Sequence, residues 1–94
     1  MLQQIEELLR AEAPTLARLE DTLTEGYAEA LALEAERLRL ERRIGEVARG
    51  GGPDIGAELL SLGRRLTSAD GELAQLRELL GFLHERARLA RAAS

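Results

Sequence analysis

Apolar side chains recur in steps of four and three along the second half of the chain. They fall at Ile55, Leu59, Leu62, Leu66, Ala69, Leu73, Leu76, Leu80, Leu83, Ala87 and Ala90, without a miss. That period brings one narrow seam of a helix against another helix; a globular core helix would show a broader stripe. The same ruler on the first half picks out Leu2, Ile5, Leu9, Glu12, Leu16, Leu19, Leu23, Gly26, Ala30, Leu33, Arg37, Leu40, Ile44 and Val47. This seam is interrupted at Glu12, Gly26 and Arg37. Pro14 falls inside it, and proline removes a backbone donor and clashes with the preceding turn. The heptad phase runs through Pro14 unbroken, which favours a kink over a loop.

Arg49-Gly50-Gly51-Gly52-Pro53-Asp54 is the strong break in the pattern. Glycine after the last periodic residue ends a helix, and Pro-Asp opens the next with a cap candidate. A phosphate-cradling loop would need a strand before the glycines and Lys-Ser/Thr after them, and neither is present. The pattern therefore predicts one all-α domain over 1–94: a short helix or overhang at 2–12, a long helix at 14–48, a turn at 49–54 and a long helix at 55–92. Two long helices joined by a short turn run antiparallel, as a coiled-coil-like hairpin.

Charge agrees with that pairing. Residues 1–36 carry nine acids against two arginines, whereas residues 77–94 carry four arginines against two acids. The basic end of the last helix then lies along the acidic start of the first, with Arg86 and Arg91 in reach of Glu20 and Glu12. Exposed ion pairs of this kind stabilise by ~0–1 kcal/mol each, so they choose register more than they create stability. The pairing leaves Leu2, Ile5, Leu8 and Leu9 with nothing opposite. Either they fold back beyond Pro14 as a third helix or another chain covers them.

Six further apolar residues lie off the seam: Leu31, Leu38, Leu60, Leu79, Phe82 and Leu89. A lone hairpin covers none of them fully, which implies a second packing surface. Two hairpins joined as a four-helix bundle, a homodimer, would supply it. An amphipathic helix of another protein would do so equally well. Phe82 is the expected anchor, because aromatic side chains tend to dominate interface energetics. Helix-interior glycines at 26, 45, 63, 71 and 81 each cost about 1 kcal/mol relative to alanine. The Thr67–Gly71 segment is the expected weak point of the second long helix.

Composition narrows the function classes. With a net charge of −4, the chain lacks the positive excess that general nucleic-acid binding needs. No apolar run approaches the ~18 residues of a membrane span, and Met1–Glu7 lacks the basic and apolar regions of a signal peptide. A cytoplasmic protein is expected. Without cysteine there is neither a disulfide framework nor a thiolate metal site. His84, the only histidine, has no Glu-x-x-His pair, so a structural histidine is expected and no metal or cofactor. Tyr27, Ser61, Ser68 and Ser94 have no base or oxyanion motif beside them, so nucleophilic catalysis has no support.

Arg37 is the residue with the most to explain, because it takes a seam position. A charge there sets register, snorkels outward, or binds an anion in the bundle core. The anion reading needs Arg37 to face Arg64 or Arg65 around a cavity; Glu12 is expected to meet Arg91. The function expected from the sequence is thus a non-enzymatic protein–protein interaction module. It is either a small chaperone or regulator that sequesters a partner helix, or a homodimerising coiled-coil unit. The alternative is a small all-α bundle or enzyme that takes an anionic small molecule on its arginines.

Overall fold

The computed structural model describes residues 1–93, and these form three helices in chain order: α1 (Leu2–Arg10), α2 (Leu16–Gly50) and α3 (Ile55–Ala93). The fold is all-α, with no strand among the described residues. The molecule measures 62 × 18 × 14 Å, with a radius of gyration of 18.1 Å. A compact chain of this length would have a radius of about 12 Å, so the long helices, and not a globular core, set the shape.

α2 and α3 form the antiparallel hairpin. At the turn, Gly51 adopts φ +56° while its N–H donates to the Val47 carbonyl at 3.4 Å. That conformation is open to glycine at little steric cost, and it ends α2 where the chain must reverse. α3 then starts as the Glu58 N–H donates to the Asp54 carbonyl at 3.0 Å.

The segment around Pro14 differs from the expected kink. α1 ends at Arg10, Ala11 is extended, and α2 begins only at Leu16. Residues 11–15 form a non-helical link. Proline pushes the residue before it out of helical conformation, and Thr15 caps α2 by accepting the Arg18 N–H at 3.2 Å. α1 then folds back as a third helix. Met1 to Gln3 lie beside Glu29, Leu33, Glu72 and Leu76, and Leu8 lies beside Arg18 and Thr22. α1 therefore runs antiparallel to α2 and parallel to α3. Ile5 is fully buried in the groove between them.

The apolar interior falls into two clusters. The larger holds Ile5, Leu8, Leu19, Leu23, Ala30, Leu73, Leu76, Leu80, Leu83 and Ala87, at the end where three helices pack. The smaller holds Leu40, Leu62 and Ala69, with Ile44, Val47 and Leu66 half-buried around it, nearer the turn. There only two helices meet, so fewer side chains are buried than where α1 also packs. Gly26 accounts for the close approach within the larger cluster, because a Cβ at this position would collide with the Leu80 side chain.

Among the described residues, five ion pairs tie α2 to α3 along their length: Glu20–Arg91 (3.5 Å), Glu34–Arg77, Glu36–Arg65 (3.3 Å), Arg37–Asp70 (2.9 Å) and Arg43–Glu58 (3.0 Å). Three of the five place an α2 acid against an α3 arginine, as the charge gradient implies. All are solvent-exposed, so their role is register. Arg86, expected to pair with an acid, donates instead to the backbone carbonyls of Leu9 at 3.0 Å and Ala11 at 3.4 Å.

Candidate helix-docking surface

Tyr27, Leu31 and Leu38 share one flank of α2, because residues four, seven and eleven apart return to the same side of a helix. Tyr27 is 48% exposed and Leu31 66%. Beside them a groove of about 520 Å³ opens between α2 and α3. Ala30 and Leu80 form its floor, Tyr27 and Leu31 one wall, and Gly81 and His84 the other; the Glu34–Arg77 ion pair is part of its lining. Nothing stands within 4 Å of where a Cβ at Gly81 would lie. The α3 wall is therefore low at Gly81, and the groove is open along its side. This flank is the opposite one from α1, whose neighbours on α2 are Thr22, Glu25, Glu29 and Leu33.

The six off-seam residues do not form a single face. Leu31 and Leu38 lie on the groove flank of α2. Phe82 and Leu89, seven residues apart, share a different side, the outer surface of α3, where both are about half exposed. Leu60 lies nearer the turn, beside a separate shallow depression with Gly63 and Arg64. Leu79 is half-buried and packs against the larger cluster, because it turns toward α1. A hairpin has several outward surfaces, and off-seam position alone does not say which one a residue occupies. The sequence offers Tyr27 no catalytic partner and does not count it among the off-seam apolar residues; its spacing of four from Leu31 and eleven from Leu38 is the signal that places it on the flank.

The polar candidates are also dispersed. Arg37 turns outward, with Nε 2.9 Å from Asp70 and 3.4 Å from Glu41. Arg65 pairs with Glu36, and Arg64 lies at the Leu60 depression. Arg37 lines neither the groove beside Tyr27 nor the depression that holds Arg64. Glu12 lies exposed in the non-helical link, so it has no seam position; the Arg91 guanidinium meets Glu20. His84 is exposed on the groove wall. Among the described residues no group of three or more His, Asp or Glu is placed to hold a metal ion. Ser61 and Ser68 are exposed, and Ser94 lies outside the described residues.

Two carboxyls have perturbed acidity. The Arg39 guanidinium, hydrogen-bonded to Glu36 at 2.8 Å and helped by Arg65, holds the Glu36 carboxyl below its ordinary value. The Arg88 guanidinium does the same to Glu85, at 2.6 Å, and is itself held above its ordinary value by that carboxylate. Both are surface ion pairs, remote in character from a proton-transfer site in a cleft.

No helix among the described residues is long and apolar enough to cross a membrane. Compared with protein-family models, with curated proteins and with solved structures, the chain matches none.

Proposed function

We propose that this chain is a non-enzymatic protein–protein interaction module, acting in the cytoplasm, that receives an amphipathic helix along the Tyr27–Leu31–Leu38 flank. The observation that carries the reading is the open apolar groove beside Tyr27 and Leu31. A groove between helices, apolar along its floor and bordered by charged side chains, suits the helix-in-groove mode of recognition, in which side chains at i, i+3, i+4 and i+7 anchor the partner. A helix laid there would cover Leu31, the most exposed large apolar side chain on this flank. The occupant is either a second hairpin, giving a four-helix bundle, or a helix of a client protein.

Light scattering across a tenfold concentration range, on the wild type and on Leu31→Glu, separates the two. A mass that climbs toward twice 10.3 kDa in the wild type and stays monomeric in the variant means that the flank serves self-association. A monomer throughout assigns the flank to a client. A photo-crosslinking residue at position 31, with a control at Leu60, then tests that assignment in cells. If position 31 captures no protein beyond the control and the mass never rises, the interaction reading fails.

A further inference from the structure

α1 is too short to be helical by its own sequence. Nine residues fall below the ~12–15 at which an isolated helix becomes even marginal in water, and Met1 supplies no side-chain cap. The helix exists because the hairpin offers it a groove. Ile5 is fully buried with Leu8 beside it, while Leu2 and Leu9 pack at the edges. Arg86 completes the seat by donating to the carbonyls of Leu9 and Ala11, two of the acceptors that a helix C-terminus leaves unmet.

The rim of the groove fits its occupant poorly in charge. Glu25 lies beside Gln4, on an edge that also carries Arg18, and Glu29 and Glu72 lie beside Gln3, where no basic side chain among the described residues lines the edge. None of these three carboxylates is in an ion pair among the described residues. α1 presents neutral glutamines to them, and Gln3 donates instead to Glu7 of its own helix at 3.4 Å. The apolar anchors match the groove and the polar edge does not.

From this mismatch we infer that the α1 groove is itself a helix-docking site, closed in cis by α1 and taken in trans by a basic amphipathic helix of a partner. The partner helix carries large apolar residues at the spacing of Leu2, Ile5, Leu8 and Leu9, and Lys or Arg where α1 has Gln3 and Gln4. Its C-terminal carbonyls meet Arg86. The five-residue link holds α1 at an effective concentration in the millimolar range, so the partner must outbind a tethered competitor. The site lies on the flank opposite Tyr27 and Leu31 and does not depend on what fills that flank.

The test uses two synthetic peptides: residues 1–12 as they stand, and the same peptide with Gln3→Arg and Gln4→Arg. Each is titrated into the full chain and into a full-chain Ile5→Glu/Leu8→Glu variant, whose own arm cannot seat. Both peptides bind the variant, the arginine peptide about tenfold more tightly, which lies within the roughly thirtyfold that two exposed ion pairs can supply at most. Its advantage shrinks as salt is raised, and Arg86→Ala in the variant weakens both. The wild type binds each peptide at least tenfold more weakly than the variant does. No binding to a variant that keeps its helical circular dichroism overturns the proposal, as does equal affinity of the two peptides. If the variant unfolds, nuclear magnetic resonance of the wild type decides: millimolar arginine peptide shifts Leu83 and Arg86 signals, and unshifted signals overturn the proposal. Loss of peptide binding in Leu31→Glu would move the site to the other flank and overturn it. A wild-type dimer that Ile5→Glu/Leu8→Glu abolishes would make a second copy's α1 the occupant, with the same consequence.

Discussion

Arg37 of α2 reaches Asp70 of α3, Nε to Oδ1 at 2.9 Å, at the level where the two apolar clusters of the hairpin part. Leu33 packs with the cluster on one side of it and Leu40 belongs to the cluster on the other. The arginine keeps its heptad position but sends its charge to the surface, where its ion pairs with Asp70 and Glu41 are worth ~0–1 kcal/mol each. A leucine there would join the clusters. We expect Arg37→Leu to stabilise the fold by about 1 kcal/mol, which raises the melting temperature by about 4–8 °C for a domain of this size. A lower melting temperature in a thermal scan would mean that the Arg37–Asp70 pair holds the register more firmly than an exposed pair should.

The helix glycines divide by what surrounds them. Gly26 faces the buried Leu80 side chain, and an added Cβ must displace it. Overpacking of this kind costs ~1–3 kcal/mol, more than the ~1 kcal/mol of helix propensity that alanine returns. Gly63, Gly71 and Gly81 face open space. Gly26→Ala should lower stability in urea unfolding, whereas Gly63→Ala, Gly71→Ala and Gly81→Ala should each raise it by up to ~1 kcal/mol. Equal responses at Gly26 and Gly71 would contradict the close packing of α2 on α3.

Much of this architecture is legible in local sequence. Helix period and turn chemistry depend on neighbours in the chain, so the hairpin follows from the four–three spacing and from Gly50–Pro53. The return of α1 is less legible, because Ile5 and Leu9 serve equally well in a continued seam and in a folded-back helix. The heptad phase that crosses Pro14 carries no information about which is chosen. Arg86 shows a second limit: charge counting assigns it an acid, but its acceptors are the carbonyls of Leu9 and Ala11, which every residue has. The scatter of Leu31, Phe82 and Leu60 over different surfaces has the same origin. Apolar spacing finds a seam, and only the packed hairpin decides which outward sides remain bare.

Acid should loosen the hairpin partly through Glu36. Arg39 and Arg65 hold its carboxyl below the ordinary 4.5, so folding binds fewer protons at this site than unfolding does. A depressed pKa of this kind gives stability that is complete above the ordinary value and is lost as pH falls through the lowered one. Glu36→Gln removes that contribution. Between about pH 5 and 3 the melting temperature of the wild type should fall more steeply than that of the variant. Parallel curves would show that the contacts of Glu36 with Arg39 and Arg65 do not persist in solution.

Arg86 provides the sharpest separation between the two ends of the molecule. Its guanidinium holds the carbonyls of Leu9 and Ala11, just where α1 gives way to the link. A charge-assisted bond to a helix C-terminus also opposes the helix dipole favourably. Arg86→Ala removes both effects but leaves Ile5 and Leu8 in the groove, so α1 should fray from its C-terminal end without leaving altogether. Amide hydrogen exchange should quicken for residues 5–11, whose local opening then approaches that of a terminus. Residues near the turn, such as Leu40 and Leu62, share no packing with α1 and should keep their protection. If protection fell equally at both ends, α1 would be part of one cooperative unit with the whole hairpin, and a partner helix could not replace it without unfolding the rest.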